Sequence, residues 1–217
     1  MQAAPFYNVR IPTKRGPAMY RFYLAAVDIL PGTLLLAPFY LVLHKVYLRD
    51  TGKSILYYLF SCYLAVVYLL VGLPNVTYIR AELNLNLIPF AGMLTDWKNG
   101  ILNILLFVPL GLALPILWRR FKNAGHTVCF GFAISLSIEL LQILTFRTTD
   151  VNDLITNTCG TYLGSLCAKM LQRRFSNLSK LAQDKTSELG IVLAIVFPAM
   201  FFVYPFVSMA FWDFILT

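Results

Sequence analysis

Charged residues are scarce in this 217-residue chain, and their scarcity excludes an ordinary soluble domain. Only 13% of the residues are charged and 59% are hydrophobic, whereas a soluble domain has about 25% charged and 45–50% apolar residues. Mean hydropathy is +0.69. The net charge is +8. We attribute it to basic residues in the loops beside the apolar spans, where such residues set membrane topology, and not to nucleic-acid binding. The composition therefore predicts an integral membrane protein with no nucleic-acid partner.

Cysteine pairs and nucleotide or hydrolase motifs are also missing. The four cysteines form no CxxC pair, so their spacing supports neither a zinc site nor a disulfide framework. The chain has no Gly-rich phosphate loop, HExxH or GxSxG motif. Its first twenty residues hold no continuous apolar run, so we do not expect a cleavable signal peptide. The sequence therefore predicts no metal site and does not identify a cofactor.

What the chain does have is six long apolar runs joined by short connections. They predict an all-α integral membrane protein, a bundle of about five to six transmembrane helices with a short re-entrant or interfacial segment. Residues 1–54 would form an arm and an extra run, 55–171 a core, and 172–217 a basic linker and a final span. The runs are Phe22–Leu43, Ile55–Leu73, Gly100–Leu117, Thr127–Phe146, Val151–Leu171 and Ile191–Leu216.

Two segments leave their structure open. The first run contains Pro31 followed by Gly32, which would kink or break a helix, so it either spans or dips into the membrane as a re-entrant hairpin. Residues 83–90 alternate apolar and polar side chains and then break at Pro89. A short interfacial or re-entrant segment fits them better than a strand, because lipid does not tolerate an open sheet edge.

The basic loops predict an orientation in a bacterial cell membrane. Residues 119–126 and 172–189 are strongly positive and are expected on the cytoplasmic side. The turn at 147–153 and the segment 74–99 would then lie outside. A spanning first run would place the basic N-terminal arm outside, against the same rule, and a re-entrant first run would remove this conflict.

Polar side chains converge at the junction of the fourth and fifth runs. Ser135, Glu139 and Gln142 share one helix face, and Asp150 with Asn157 marks a second polar stripe on the next helix. A charge in the middle of a lipid-embedded helix costs about 2.5–3.5 kcal/mol on insertion scales. Such side chains therefore predict a polar site at one mouth of the bundle.

Each of these residues has a structural alternative. Glu139 either pairs with Arg147 to fix helix register or takes part in binding or catalysis. Asp150 either caps the fifth helix, with Asp153 as an acidic capping-box partner, or joins Asp153 and Asn157 around a hard cation such as Mg²⁺.

Two further features concern helix packing. Asn103 in the third run either makes an interhelical hydrogen bond or faces the polar site. Gly160, Gly164 and Ala168 form a ridge of small residues that lets a neighbouring backbone approach closely.

Four motifs in fixed order resemble those of the VanZ-like family of membrane proteins, over roughly residues 55–171. Any one alone would be weak, and their order and spacing make the resemblance specific. The motifs are Asn86–Phe90, Asn103–Gly111, Ser137–Gln142, and Arg147 with Asp150–Gly160.

The resemblance implies a bacterial cell-membrane protein linked to low-level resistance to the glycopeptide antibiotic teicoplanin. This chain has Val151 and Asn152 where the family often has an acidic residue, so a third carboxylate is missing. The family's recurrent polar positions map onto Asn86, Asn103, Glu139, Gln142, Arg147, Asp150, Asp153 and Asn157.

Three functions follow as hypotheses. The first is a non-enzymatic resistance or binding protein that acts on membrane lipid, a lipoglycopeptide or a lipid-linked cell-wall precursor at the outer leaflet. The second is an enzyme acting on a lipid-linked or isoprenoid envelope substrate, with Glu139 and Asp153, together with Asp150, as acid, base or metal ligands. The third is a scaffold whose polar hairpin is purely structural. The sequence does not indicate an oligomeric state.

Overall fold

The computed structural model describes residues 17–79, 85–86, 88–90, 97–145 and 149–216. Long helices dominate it, with one short strand pair. The helices are α1 (Pro17–Leu43), α2 (Thr51–Leu70), α3 (Trp97–Leu117), α4 (Ala124–Gln142), α5 (Val151–Arg174), α6 (Ser176–Lys180), α7 (Ser187–Pro198) and α8 (Tyr204–Leu216). The strands are β1 (Leu85–Asn86) and β2 (Thr149–Asp150).

The apolar helices have the length and composition of membrane spans. Five segments of the described residues meet both requirements: 28–48, 51–70, 97–117, 124–142 and 187–215. The prediction of an all-α membrane bundle is therefore confirmed. At 1.5 Å per residue, α3 alone is about 32 Å long, which matches the hydrocarbon core of a bilayer.

The fifth predicted run, α5, is long but less apolar than the others. It is absent from the segments that meet the hydropathy requirement, yet it lies beside α3 from Gly100, which contacts Thr156, to Pro115, whose carbonyl accepts from Gln172. Its polar side chains face α3 and α4, and they lower its mean hydropathy below that of the other long helices. It nevertheless runs alongside α3 over nearly the full length of that helix.

The glycine ridge of α5 packs against the backbone of α3. A Cβ added at Gly160 would collide with the Ile104 carbonyl, and one at Gly164 would collide with the Val108 carbonyl. Ala168 continues the ridge and is fully buried. The predicted close approach is therefore confirmed, with α3 as the neighbouring helix.

The first run forms one continuous helix, so a re-entrant hairpin broken at Pro31 is wrong. Thr33 Oγ1 donates to the carbonyls of Ile29 and Leu30, 3.1 and 3.0 Å away. Bonds from a side chain to the carbonyls three and four residues earlier are those of an intact helical turn, and α1 continues through Pro31. A Cβ added at Gly32 would lie 3.4 Å from the Tyr204 ring of α8, so this part of α1 faces α8.

The expectation that residues 83–90 contain no strand is wrong for two residues. Leu85 pairs with Thr149 and Asn86 with Asp150 in a parallel register. The pair is only two residues long and Asn86 is half-buried against its partner, so no long edge is offered to lipid. The rest of the predicted interfacial segment lies largely outside the described residues.

The two basic loops meet at one end of the bundle. The Arg119 N–H donates to the Gln183 carbonyl at 3.0 Å, and the Gln183 N–H donates to the Leu117 carbonyl at 2.8 Å. A buried ion pair from Lys53 to Glu188 joins the start of α2 to the same end. The strand pair lies at the opposite end, where α4 finishes and α5 begins. The sidedness of these ends remains a prediction.

Candidate functional site

Asp150 is the centre of the polar site. It is the N-cap of α5, and its Oδ1 accepts from the Asn152 N–H at 2.8 Å. Its Oδ2 accepts from Asn86 Nδ2 at 3.0 Å. One carboxylate therefore satisfies an orphan donor of the helix start and holds the segment that contains β1.

Glu139 approaches the same helix start from α4. It is 3% exposed, and its Oε2 accepts from the Asp150 N–H at 2.9 Å. Thr149 Oγ1 donates to the Glu139 carbonyl at 3.0 Å. In a capping box the N-cap N–H is satisfied from within its own helix, whereas here Glu139 supplies that acceptor from another helix. Glu139 lies only three residues before the end of α4, close to the mouth of the bundle.

Asn152 extends this arrangement to the turn after β1. It is buried, and its Oδ1 accepts from the Phe90 N–H at 2.6 Å. Phe90 has a positive φ of 65°, which is strained for a bulky residue. We call Asn86, Glu139, Asp150 and Asn152 the polar clamp. The clamp holds the 88–90 turn in a backbone conformation that the turn would not adopt freely.

Two buried amides lie just outside the clamp, and each is half satisfied. Asn157 Nδ2 donates to Ser135 Oγ at 2.9 Å, and Gln142 Nε2 donates to the Val71 carbonyl at 2.8 Å. The Asn157 Oδ1 and Gln142 Oε1 atoms are buried without a hydrogen-bond donor. An unsatisfied buried oxygen costs about 1–3 kcal/mol, so each can accept a hydrogen bond from a water or a hydroxyl.

The other predicted site residues, Asn103, Asp153 and Arg147, are not part of the polar clamp as defined. Asn103 is half-buried at the start of the stripe on α3 that continues through Phe107 and Leu110. Asp153 is half-buried in the first turn of α5. Arg147 lies outside the described residues, so its pairing with Glu139 stays a prediction.

The structure brings three of the predicted residues into one hydrogen-bonded group: Asn86, Glu139 and Asp150. Sequence reasoning missed the part played by Thr149 and Asn152. Asn152 is the second residue of α5, two positions after the N-cap Asp150, and asparagine is a poor helix former, which was a usable signal. Nothing in the sequence marks Thr149 as a partner of α4.

The clamp offers little free capacity for a metal ion. Both oxygens of Asp150 and the Oε2 of Glu139 accept hydrogen bonds from nitrogen donors. Within the described ranges, no group of three His, Cys, Asp or Glu residues is arranged to hold a metal.

Asp150→Ala is expected to lower the free energy of unfolding by about 2 kcal/mol, because it removes a helix cap and a second, charged hydrogen bond. Thermal unfolding in detergent measures the loss. Asn123→Ala is the matched control, since Asn123 caps α4 through one exposed bond to the Gly125 N–H, and about 1 kcal/mol is expected there. Equal losses of stability for the two variants would mean that the hydrogen bond from Asn86 to Asp150 does not contribute to stability.

The described residues define a multi-pass α-helical membrane protein with a hydrogen-bonded clamp at one end of its bundle. The chain belongs to the VanZ/LLP1 family, whose sequence profile matches residues 55–172.

A similar protein is known by the name Protein VanZ, from Enterococcus faecium. It is 38% identical over 84 residues, which cover 37% of this chain and 50% of that protein. The chain thus spans about half the length of this curated relative. No solved structure matches the chain.

Proposed function

We propose that this protein contributes to resistance against glycopeptide antibiotics of the teicoplanin type, by binding a lipid-tailed molecule at the outer leaflet without converting it. The family membership supports a role at the cell envelope. The orientation that this requires, with the polar clamp outside, is supported by the basic loops at the opposite end of the bundle.

The observation that carries the proposal is the position of Phe90. Phe90 is 66% exposed although its φ is positive and its N–H donates to Asn152 Oδ1. Strained conformations persist where the surrounding structure enforces them, and they cluster at ligand sites. Ile88 and Trp97 are also more than half exposed at this end. The clamp therefore presents apolar side chains where the acyl chain of a lipoglycopeptide would meet the bilayer surface.

Two buried oxygens near the clamp have unused hydrogen-bonding capacity. Asn157 Oδ1 and Gln142 Oε1 have no donor within the described residues, and a hydroxyl or amide of a ligand would satisfy them if its binding opened this part of the bundle. The hydrogen bonds of Asp150 and Glu139 within the protein favour positioning over acid–base chemistry.

Phe90→Ser is expected to weaken binding of a lipid-tailed glycopeptide about tenfold or more, because burying a phenylalanine ring contributes about 1.5–3 kcal/mol. Titration of purified protein in nanodiscs measures binding, and the minimum inhibitory concentration in a susceptible Gram-positive host measures resistance. Phe214→Ser is the matched control, since Phe214 is 81% exposed on α8. Equal effects of the two substitutions, or no saturable binding by the unmodified protein, would refute the proposal.

Glu139→Gln in the same assays separates binding from catalysis. Glutamine keeps an oxygen that accepts from the Asp150 N–H, so the binding proposal expects most of the resistance to remain. Complete loss of resistance with unchanged membrane expression and unchanged melting temperature would indicate that the carboxylate performs chemistry.

A further inference from the structure

A cavity lies at the end of the bundle opposite the polar clamp. Its volume is about 220 Å³, and it lies between the end of α3, the start of α4 and the last turns of α5. We call it the lysine pocket, and its lining includes Pro115, Phe121, Lys122, Tyr162, Lys169 and Gln172.

The walls of the lysine pocket are fixed by hydrogen bonds that do not involve the lysines. Gln172 Nε2 donates to the Pro115 carbonyl at 2.9 Å, which ties α5 to the end of α3. Thr127 Oγ1 donates to the Phe121 carbonyl at 2.6 Å, which ties the start of α4 to the turn before it. The cavity is therefore built by the fold, and the exposed residues Lys122 and Lys169 are part of its lining.

The charged side chains that line the pocket have one sign. They are Lys122 and Lys169, and the lining contains no acidic residue. Arg119 forms an exposed ion pair with Asp184. The first turn of α4 also lines the pocket at Ala124, and a helix N-terminus adds partial positive charge. Two ammonium groups and a helix start together favour an anion.

The membrane-facing side of the same region is apolar. Tyr162, Leu163, Leu166 and Met170 are exposed along α5, and Tyr162 and Leu166 also line the pocket. A molecule seated there would have its anionic group beside the lysines and apolar chains along α5 towards the bilayer centre. Basic pockets between transmembrane helices at a membrane interface bind anionic headgroups in this way.

We propose that the lysine pocket binds the phosphate of an anionic glycerophospholipid, with Lys122 and Lys169 as its cationic ligands and the exposed apolar face of α5 as the surface for its acyl chains. The site is separate from the polar clamp, and the proposal does not depend on the resistance function.

The test measures lipid retained by the full chain. Native mass spectrometry and thermal unfolding are run after reconstitution with phosphatidylglycerol or with phosphatidylcholine. Retention of phosphatidylglycerol and stabilisation by it alone are expected for the unmodified protein. Lys122→Gln with Lys169→Gln is expected to weaken retention about thirtyfold, on the basis of about 1 kcal/mol for each basic residue near an anionic surface.

Lys45→Gln with Lys180→Gln is the matched control. Both lysines are exposed, neither lines the pocket, and the change in net charge is the same. Equal losses in the two double variants would reduce the effect to general surface charge and overturn the proposal. Unchanged retention in the pocket variant would overturn it as well. Stabilisation by inorganic phosphate that equals that by phosphatidylglycerol would assign the pocket to a free anion instead of a lipid.

Discussion

Gly164→Ala is expected to lower the free energy of unfolding by about 3 kcal/mol, at the upper end of what overpacking costs. Added at Gly164, a methyl group would collide with the Val108 carbonyl, and it would lie 2.8 Å from the Leu112 nitrogen and 2.9 Å from the Gly111 Cα. All three are backbone atoms of α3, so no side-chain rotation relieves the overlap. The two helices must move apart along their shared face.

Moving the two helices apart would weaken packing along the whole α3–α5 face and not only at Gly164. In a membrane, helices associate mainly through close van der Waals packing, because lipid tails are as apolar as the side chains. Gly111 lies opposite Thr161, and a Cβ there would collide with the Thr161 carbonyl. The α3–α5 contact is therefore close from both sides, and α5 carries the clamp residues at its start. The thermal midpoint in detergent and the exposure of the α5 backbone to hydrogen exchange both measure the change.

Gly190→Ala is the control for the same substitution. Gly190 is exposed within α7, and a Cβ there meets nothing within 4 Å. Alanine favours a helix over glycine by about 1 kcal/mol, so a small gain in stability is expected. If the Gly164→Ala protein has the same thermal midpoint as the unmodified protein, α3 and α5 tolerate a wider separation. The close approach of the two helices would then contribute little to stability.

The sequence predicts the polar site because charge is costly in lipid. Glu139 and Asp150 stand at the ends of consecutive apolar runs, and burial of such groups demands partners. Their convergence could therefore be expected. The family resemblance marks Asn86 as a polar position, but its hydrogen bond to Asp150 could not be expected, since 64 residues separate the two and no helical periodicity relates a strand residue to a helix cap.

Hydrogen bonds from side chains to backbone carbonyls are also not predictable from sequence. Gln142 donates to the carbonyl of Val71, and Tyr63 donates to that of Leu106. Every residue has a carbonyl, so the identity of Val71 or Leu106 carries no signal. The same limit leaves the first run open between a span and a re-entrant hairpin in the sequence, because Pro31 and Gly32 alone do not decide whether the helix continues through them.

Glu188→Ala is expected to cost about 3–5 kcal/mol, because it leaves a largely buried ammonium group without its counter-charge. Glu188 is 2% exposed, and its Oε1 lies 2.6 Å from Lys53 Nζ. Its Oε2 accepts from the Tyr57 hydroxyl, also at 2.6 Å. The Tyr57 ring stacks on Trp118, which is fully buried. One carboxylate thus joins α2 to α7 and supports the aromatic core between them.

The exposed pair of Arg119 and Asp184 is the control for this ion pair. Its side chains are 58% and 72% exposed, so Asp184→Ala is expected to change stability by no more than about 1 kcal/mol. Chemical denaturation in mixed micelles, with helical circular dichroism as the signal, compares the two variants. Losses of similar size would place the Lys53–Glu188 pair in water and contradict its burial.

A combined replacement tests whether charge at this position is needed at all. Lys53→Met with Glu188→Leu and Tyr57→Phe removes all three polar groups and keeps similar volumes. Replacing a complete buried ion pair by apolar residues is often neutral or stabilising, so the triple variant is expected to recover most of the loss caused by Glu188→Ala. Recovery would show that the single substitution is costly because it strands Lys53 and Tyr57. Failure to recover would mean that the pair itself determines how α7 docks on α2, since packing alone would then not hold the C-terminal helices in place.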